Sequence, residues 1–320
     1  MTRRGLLLAA CAPALRAEEV RVRVLELFHP ETAEISALEG RRIKLETEAG
    51  AWTLEGAQSY RATLQGGVAR SLAGPVRVRL GGKIERIYPG RLEITPEGTE
   101  LRLVATLPLE AAVAAIVAAE AGASAPEEAQ KAQAIAVRSF LLAAKGRHDG
   151  YAFCDTTHCH HLTESEDRSE RAAASTAGLC LFYGGRPLEA LSMRRCGGIT
   201  RTLDEVGLRG SGYPYFPVAC EPCRRNPSPW TRSWPMEQAD AVVERPGAEA
   251  ARLKVVRRLG WSAIPSNDYS VRVEAGKAVF EGRGEGHGVG LCQFGAAELA
   301  RQGWDARRIL AHYFLNATVA

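Results

Sequence analysis

Several common signatures are missing from this sequence. No segment beyond the extreme N-terminus approaches the run of about 20 apolar residues that a membrane-spanning helix requires. There is no HExxH pair, which removes the ligand set of the common zinc peptidases. A glycine-rich stretch lies near the C-terminus. No GKS or GKT follows it and no strand–loop–helix dinucleotide unit precedes it, so it is not a nucleotide phosphate loop. Basic residues do not cluster with interleaved aromatics, which argues against nucleic acid as a partner. The net charge of +4 is mild and suits an anionic polymer without diagnosing one. What remains is ordinary for a globular protein: 46% hydrophobic and 24% charged residues in a chain of 320, long enough for one large or two unequal domains.

The first twenty residues, MTRRGLLLAACAPALRAEEV, place two arginines before a short apolar run and a small-residue region. This is the layout of an export signal over residues 1–17. Leu8-Ala9-Ala10-Cys11 also has the form of a bacterial lipoprotein box with Cys11 as the lipidated residue, so the type of signal peptidase stays open. Either way the protein is expected outside the cytoplasm, in the periplasm, in the wall or on a lipid anchor, and to touch the membrane only through that signal or anchor.

The most informative stretch is LPLEAAVAAIVAAEAGASAPEEAQKAQAIAVRSF, residues 107–140. It reads as two helices with a break between them. In the first, Leu109, Val113, Ile116 and Val117 recur at helical spacing, and Glu120 falls four residues after Ile116 on the same stripe. A carboxylate on a buried face is costly unless paired or protonated. A proton-carrying carboxyl is what a general acid requires. The second helix opens at Ser124-Ala125-Pro126-Glu127, a capping box with proline in the first turn. Ala129, Ala132, Ala136 and Phe140 form its small-residue packing face, and Lys131, Arg138 and Lys145 sit seven apart as a cationic stripe.

Residues 18–106 read as a β-rich region, since VRVRVLEL, RRIKLETEAGAWTL, GPVRVRLGG and GRLEITPEGTELRLVATL alternate between turn signals. Arg102 and Val104 alternate with Leu101, Leu103 and Ala105, as in a half-exposed strand. After the helix pair, a loop crowds His148, Cys154, His158 and Cys159, followed by His160 and His161. Two thiolates and two imidazoles are a common tetrahedral zinc set. The spacing is not that of a standard finger, and a Cys154–Cys159 disulfide is the alternative in an oxidising compartment. Residues 166–177 read as a surface helix, and GLCLFY, residues 178–183, as a short buried strand. Residues 211–234 are proline- and aromatic-rich, a long loop or cleft wall whose Tyr215, Trp230 and Trp234 are candidates for stacking on sugar rings; a packed loop held by Cys220 and Cys223 is the alternative. Residues 236–280 read as a helical insert with two strands. The glycines at 282, 284, 286, 288 and 290 form a loop around His287 that feeds a helix from Gln293 to Arg301, and a second helix follows Asp305 as its N-cap.

Five blocks in order, LPLEAAVAAIVAAE, AQKAQAIAVRSF, CDTTHC, LSMRRCGGIT and GEGHGVGLCQFGA, resemble the stage II sporulation protein D family (SpoIID–LytB), over roughly residues 70 to 320. That family includes lytic transglycosylases and amidase enhancers of the bacterial cell wall. The resemblance implies an α+β fold in which the N-terminal β-rich region leads into a mixed core over residues 107–320, with a central helix pair, antiparallel strands and a variable insert near 236–280. It implies cleavage of MurNAc–GlcNAc glycan strands of peptidoglycan with 1,6-anhydroMurNAc ends. Glu120 would be the catalytic residue, and Lys131, Arg138, Tyr215, His287 and Gln293 would contact substrate. A structural Zn²⁺ on His148, Cys154, His158 and Cys159 is also implied, with His160 or His161 as substitutes. The chain departs from the family pattern after Cys159, where His160-His161-Leu162 stands for QVY. The alternative function is a non-catalytic glycan-binding enhancer of a cell-wall amidase, so a wall enzyme is a further expected partner. If the enzyme were hydrolytic, Glu285 would be the better second carboxylate and Asp155 the other. The resemblance brings the blocks of Cys196 and Cys292 together, so that these two could pair; by spacing Cys220 and Cys223 could form another pair, with Cys180 left as a buried thiol, and a second metal site on Cys196, Cys220 and Cys223 is the competing arrangement.

Overall fold

The computed structural model describes residues 18–72, 74–122, 124–143, 148–156, 159–210 and 212–320. It is an α+β protein, as expected. Two compact units interleave along the chain: residues 1–119 with 144–179, and residues 120–143 with 180–320. No single cut at residue 106 separates them.

The first unit holds ten consecutive strands: β1 (Glu19–Val24), β2 (Thr32–Ala37), β3 (Arg42–Thr47), β4 (Gly50–Glu55), β5 (Ser59–Thr63), β6 (Ala69–Ser71), β7 (Val76–Leu80), β8 (Ile84–Tyr88), β9 (Arg91–Glu97) and β10 (Glu100–Pro108). They precede α1 (Leu109–Ala121) and α2 (Glu127–Ala143), after which come β11 (Phe153–Cys154) and α3 (Asp167–Ser175). One sheet runs β11-β1-β10-β9-β6-β3-β4 and the other β5-β2-β7-β8. Alternation drives both. In β1, Val20, Val22 and Val24 are buried while Glu19 and Arg21 are exposed; in β7, Val76, Val78 and Leu80 are buried. Fully burying one such side chain is worth about 1.5–3 kcal/mol. β10 departs from alternation: Val104, read as outward-facing, is buried beside Leu103 and Ala105, so this central strand is covered on both faces at its middle. β11 pairs in parallel with β1, Val22 opposite Phe153 and Arg23 opposite Cys154, which fixes one end of the Cys/His loop on the sheet.

α1 carries the chain from the first unit to the second, with Glu120 and Ala121 in the latter. It is buried almost all round from Ala112 to Val117 rather than along one stripe. Alanine at so many positions lets neighbours approach on every side.

In the second unit α2 packs against α7 (Gln293–Arg301) and α8 (Ala306–Tyr313). Between them in sequence lie β12 (Leu181–Tyr183), β13 (Arg186–Pro187), β14 (Ser192–Met193), α4 (Glu221–Arg225), β15 (Pro229–Pro235), α5 (Met236–Glu244), α6 (Glu249–Leu259), β16 (Tyr269–Glu274), β17 (Lys277–Arg283) and β18 (Leu291–Cys292); β19 (Thr318–Val319) ends the chain. Three small sheets result: β13-β12-β19, the parallel pair β14-β18, and β15-β17-β16. The last packs with α5 and α6 around Trp230, Val242, Val255, Ile264 and Phe280, a core belonging to the insert itself. The aromatic stretch read as a long loop thus contains a strand, β15, whose partner β17 is distant in sequence. The last helix starts where its capping signal puts it, with Asp305 Oδ1 accepting from the Arg308 N–H at 2.7 Å.

Candidate functional site

Glu120 is partly buried, and its carboxylate is the meeting point of three donors. Oε2 accepts from Gln133 Nε2 at 2.8 Å, from Ser192 Oγ at 2.9 Å and from Gln293 Nε2 at 3.2 Å. Gln133 also donates to Ser192 Oγ at 3.0 Å, so the donors are braced against one another. Each comes from a different element of the second unit: Gln133 from the middle of α2, Ser192 from β14, Gln293 from the first turn of α7.

The local fold explains why Ser192 and Gln293 arrive together. β14 and β18 pair in parallel, Ser192 opposite Leu291 and Met193 opposite Cys292, and Gln293 is the next residue along. The Leu291 N–H donates to Leu191 O at 3.0 Å and the Phe294 N–H to Arg194 O at 3.1 Å, which continues the register at both ends. Gly290 sits at φ +83° with its Cα directly over the Leu191 carbonyl, where a Cβ would collide with that oxygen. Glycine is required there by space as well as by backbone angle.

His287 lies on this loop, partly buried. Nδ1 accepts from the Val289 N–H at 3.1 Å, and the ring also hydrogen-bonds the Ser192 backbone. Desolvation pushes its pKa below the ordinary histidine value of 6.5, with the buried Glu249 carboxylate opposing that shift and Arg252 adding to it. A neutral ring accepting at Nδ1 carries its proton on Nε2. His287 thus hydrogen-bonds the Ser192 strand, and the Glu120 carboxylate also acts on its ring, in the direction that raises its pKa.

Of the other expected substrate contacts, Gln293 is at the carboxylate, but as its donor. Lys131 is engaged on its own helix, 2.7 Å from Glu127 and 2.9 Å from Glu128, whose other oxygen accepts from the Ala306 N–H at 2.8 Å. Arg138 is fully buried, so Lys131 and Arg138 do not form one solvated cationic stripe; Lys145 lies outside the described residues. Tyr215 is 3% exposed, with its hydroxyl donating to Glu189 O and accepting from the Leu191 N–H at 2.9 Å. Its ring packs on Tyr213 and Phe314, so it supports β14 from behind and has no open face for a sugar. Trp230 is likewise a core residue, donating from Nε1 to Ser266 Oγ at 3.1 Å. Glu285 is exposed and lies 3.3 Å from Arg194. Gln133 and Ser192 were not singled out from sequence. The available signal was a glutamine at position 133, one residue from Ala132 and three from Ala136 on the packing face of α2, a polar group where small apolar residues were expected.

In the first unit, His148, Cys154 and Cys159 bring one ligand atom each to within 4.8 Å of one another, with His148 Nε2 3.2 Å from Cys159 Sγ. No Cys154–Cys159 disulfide is formed. His158 lies outside the described residues. The Ala152 N–H donates to Arg21 O at 2.8 Å and the Asp155 N–H to Arg23 O at 3.0 Å, so β1 holds this loop by its backbone. Asp155 is buried, its Oδ2 accepting from the Leu25 N–H at 2.7 Å; desolvation raises its pKa to about 6. In the second unit, Cys196, Cys220, Cys223 and Cys292 are all buried and none is in a disulfide, so neither expected pairing is formed.

A family model described as SpoIID, stage II sporulation protein, matches residues 97–183. Among curated proteins, the chain is 24% identical over 261 residues to an uncharacterized protein of Brachyspira hyodysenteriae, covering 71% of this chain and 70% of that one. It is 24% identical to stage II sporulation protein D of Bacillus amyloliquefaciens, with 68% of this chain and 75% of the other covered. The Bacillus subtilis protein of the same name is 26% identical over 275 residues, with 68% and 76% covered. The family match over residues 97–183 and the two similarly named relatives, at this low identity, make the chain similar to SpoIID proteins.

Proposed function

We propose that this protein is a lytic transglycosylase of peptidoglycan with Glu120 as its catalytic residue. Similarity to SpoIID proteins supports a cell-wall-related function. The observation that carries the finer reading is the carboxylate of Glu120, partly exposed and held at one oxygen by three donors from three elements. Such bracing sets the direction in which a carboxyl presents its proton. In the reaction Glu120 gives its proton to the glycosidic oxygen as the bond to the anomeric carbon breaks. The muramic C6 hydroxyl then attacks that carbon and its proton returns to Glu120, leaving a 1,6-anhydro ring. One carboxyl serves both steps, whereas ordinary glycosidases place two about 5–9.5 Å apart.

The His148, Cys154 and Cys159 atoms fit a structural zinc ion. A tetrahedral ion with Zn–N near 2.0–2.1 Å and Zn–S near 2.3 Å sets its ligands roughly 3.5 Å apart, and the spacing here is of that order. Held zinc would tie the 148–159 loop to β11 and so to β1. The partners of this reading are glycan strands and a wall enzyme such as an amidase, and the location is outside the cytoplasm.

Digestion of purified glycan strands, with mass detection of the products, tests the reading. Wild-type protein is expected to yield anhydro-muramic ends, and Glu120→Gln to lose cleavage by about 10²–10⁴-fold or more while still binding glycan. Reducing ends would mean hydrolysis and direct attention to Glu285. Undiminished cleavage by the variant would overturn the assignment.

A further inference from the structure

We infer that Cys196, Cys220, Cys223 and Cys292 form a closed four-thiolate zinc centre, separate from the His148 loop, that locks the strand pair presenting Ser192 and Gln293. The metal site rests on sulfur geometry alone; only its consequence for Glu120 rests on the reading above.

The four sulfurs all lie within 4.8 Å of one another, and Cys223 Sγ is 3.6 Å from Cys292 Sγ. Zinc–thiolate bonds of about 2.3 Å in tetrahedral array set sulfurs about 3.8 Å apart. Two disulfides need sulfurs joined in pairs at about 2.05 Å and give no reason for all four to converge. Residues distant in sequence supply the set: Cys196 follows β14, Cys220 caps α4, Cys223 lies within α4, and Cys292 ends β18. Exposure is at most 2% at each. Polar groups of the surroundings lie against the sulfurs. The Gly295 N–H donates to Cys292 Sγ at 3.3 Å, and Tyr313 Oη lies 3.3 Å from Cys220 Sγ. Outer donors of this kind support metal-bound thiolates. Gly295 is the residue that permits the approach, since a Cβ there would run into both Tyr313 Oη and Cys220 Sγ.

Binding needs no oxidant. Each thiol releases its proton to solvent as its sulfur bonds the ion, so Zn²⁺ with four thiolates carries two negative charges and the step is pH-dependent but redox-neutral. Four protein ligands leave no open position, which makes the centre structural. Its placement gives it a task. Cys292 immediately precedes Gln293 and pairs with Met193, while Cys196 is four residues beyond Ser192. One ion thus fastens both strands that carry donors to Glu120.

The test uses the full chain with the first set removed, Cys154→Ala/Cys159→Ala, purified without chelators. About one zinc ion per chain is expected, and X-ray absorption should find only sulfur neighbours near 2.3 Å. Adding Cys223→Ser should abolish that zinc. If the double variant does not accumulate, wild-type protein and Cys223→Ser are compared, and a loss of about one zinc ion per chain is expected. A folded protein without zinc in this set, nitrogen or oxygen neighbours in the double variant, or two disulfides among these cysteines by non-reducing peptide mapping would each overturn the centre. Zinc bound without glycan cleavage would sink the proposed activity alone, and cleavage without this zinc would sink the centre alone.

Discussion

A single carboxylate oxygen gathers three donors, and the weight of each can be measured. Ser192→Ala removes one hydrogen bond to the Glu120 carboxyl group, an interaction worth about 0.5–1.5 kcal/mol. Glycan cleavage is expected to fall about tenfold, mainly in kcat, because the lost contact directs Glu120 rather than holding substrate. Steady-state rates beside a thermal melt check this, and an unchanged kcat would show that Ser192 has no part in directing the carboxyl. His287 makes a prediction in pH. Its folded pKa is depressed below 6.5, first by desolvation. Above that value both folded and unfolded rings are neutral and nothing is lost. As the pH falls below it, the unfolded ring takes up a proton that the folded ring refuses, so stability drops until the folded value is reached. Wild-type protein should therefore lose more stability on acidification below about pH 6.5 than His287→Gln, whose side chain does not titrate. Parallel denaturation curves for the two proteins across that range would refute the linkage. Glu120 itself was legible in sequence because it stands at the end of an apolar run. Gln133 and Ser192 were not, because a glutamine among alanines and a serine before a glycine turn look the same whether or not a carboxylate faces them.

At the scale of elements, the insert of β15, α5, α6, β16 and β17 is built around a buried ion pair. Arg252 donates to both oxygens of Glu249, each at 2.8 Å, and Asn267 Nδ2 donates to Glu249 Oε2 at 2.8 Å. Both charged side chains are 7% exposed. Burial opposes ionisation of Glu249, and Arg252 overcomes it, so the net shift of its pKa is downward. Removing one partner strands the other. Arg252→Met is expected to destabilise this unit by about 3–5 kcal/mol, and Glu249→Gln/Arg252→Met by much less. Urea unfolding followed by tryptophan fluorescence reads both, since Trp230 lies in the same core. A double variant as unstable as the single one would mean that packing, not uncompensated charge, sets the cost. The helical character of this region was readable from the helix formers of residues 248–258. β15 was not, because Pro229–Pro235 becomes a strand only by pairing with Lys277–Arg283.

For the whole molecule, chain order and spatial order diverge. The first described strand, β1, is an inner strand of the seven-stranded sheet, between β10 and β11. Deleting Glu19–Val24 should therefore do more than fray a terminus. It removes the partner of β11 and the carbonyls of Arg21 and Arg23 that hold the 152–155 backbone. The expected result is loss of hydrogen-exchange protection in β10 and β11, with loss of any zinc carried by His148, Cys154 and Cys159. Retained protection in β11 would show that the loop is held by something other than this strand.

Sequence by itself determined the classes of element: strands where apolar residues alternate, helices where they recur every three to four residues, and helix starts at Asp305 and after Pro126. Those are local properties, set by the geometry of a few successive residues. Tertiary structure alone decided which residues meet. Four cysteines spread over nearly a hundred positions converge because a parallel pair of two-residue strands, a short helix and a glycine without room for a side chain bring them there. Tyr215 and Trp230 were offered to a ligand by composition and are taken instead by packing. A side chain's partner depends on pairings between distant segments, and no local pattern encodes them.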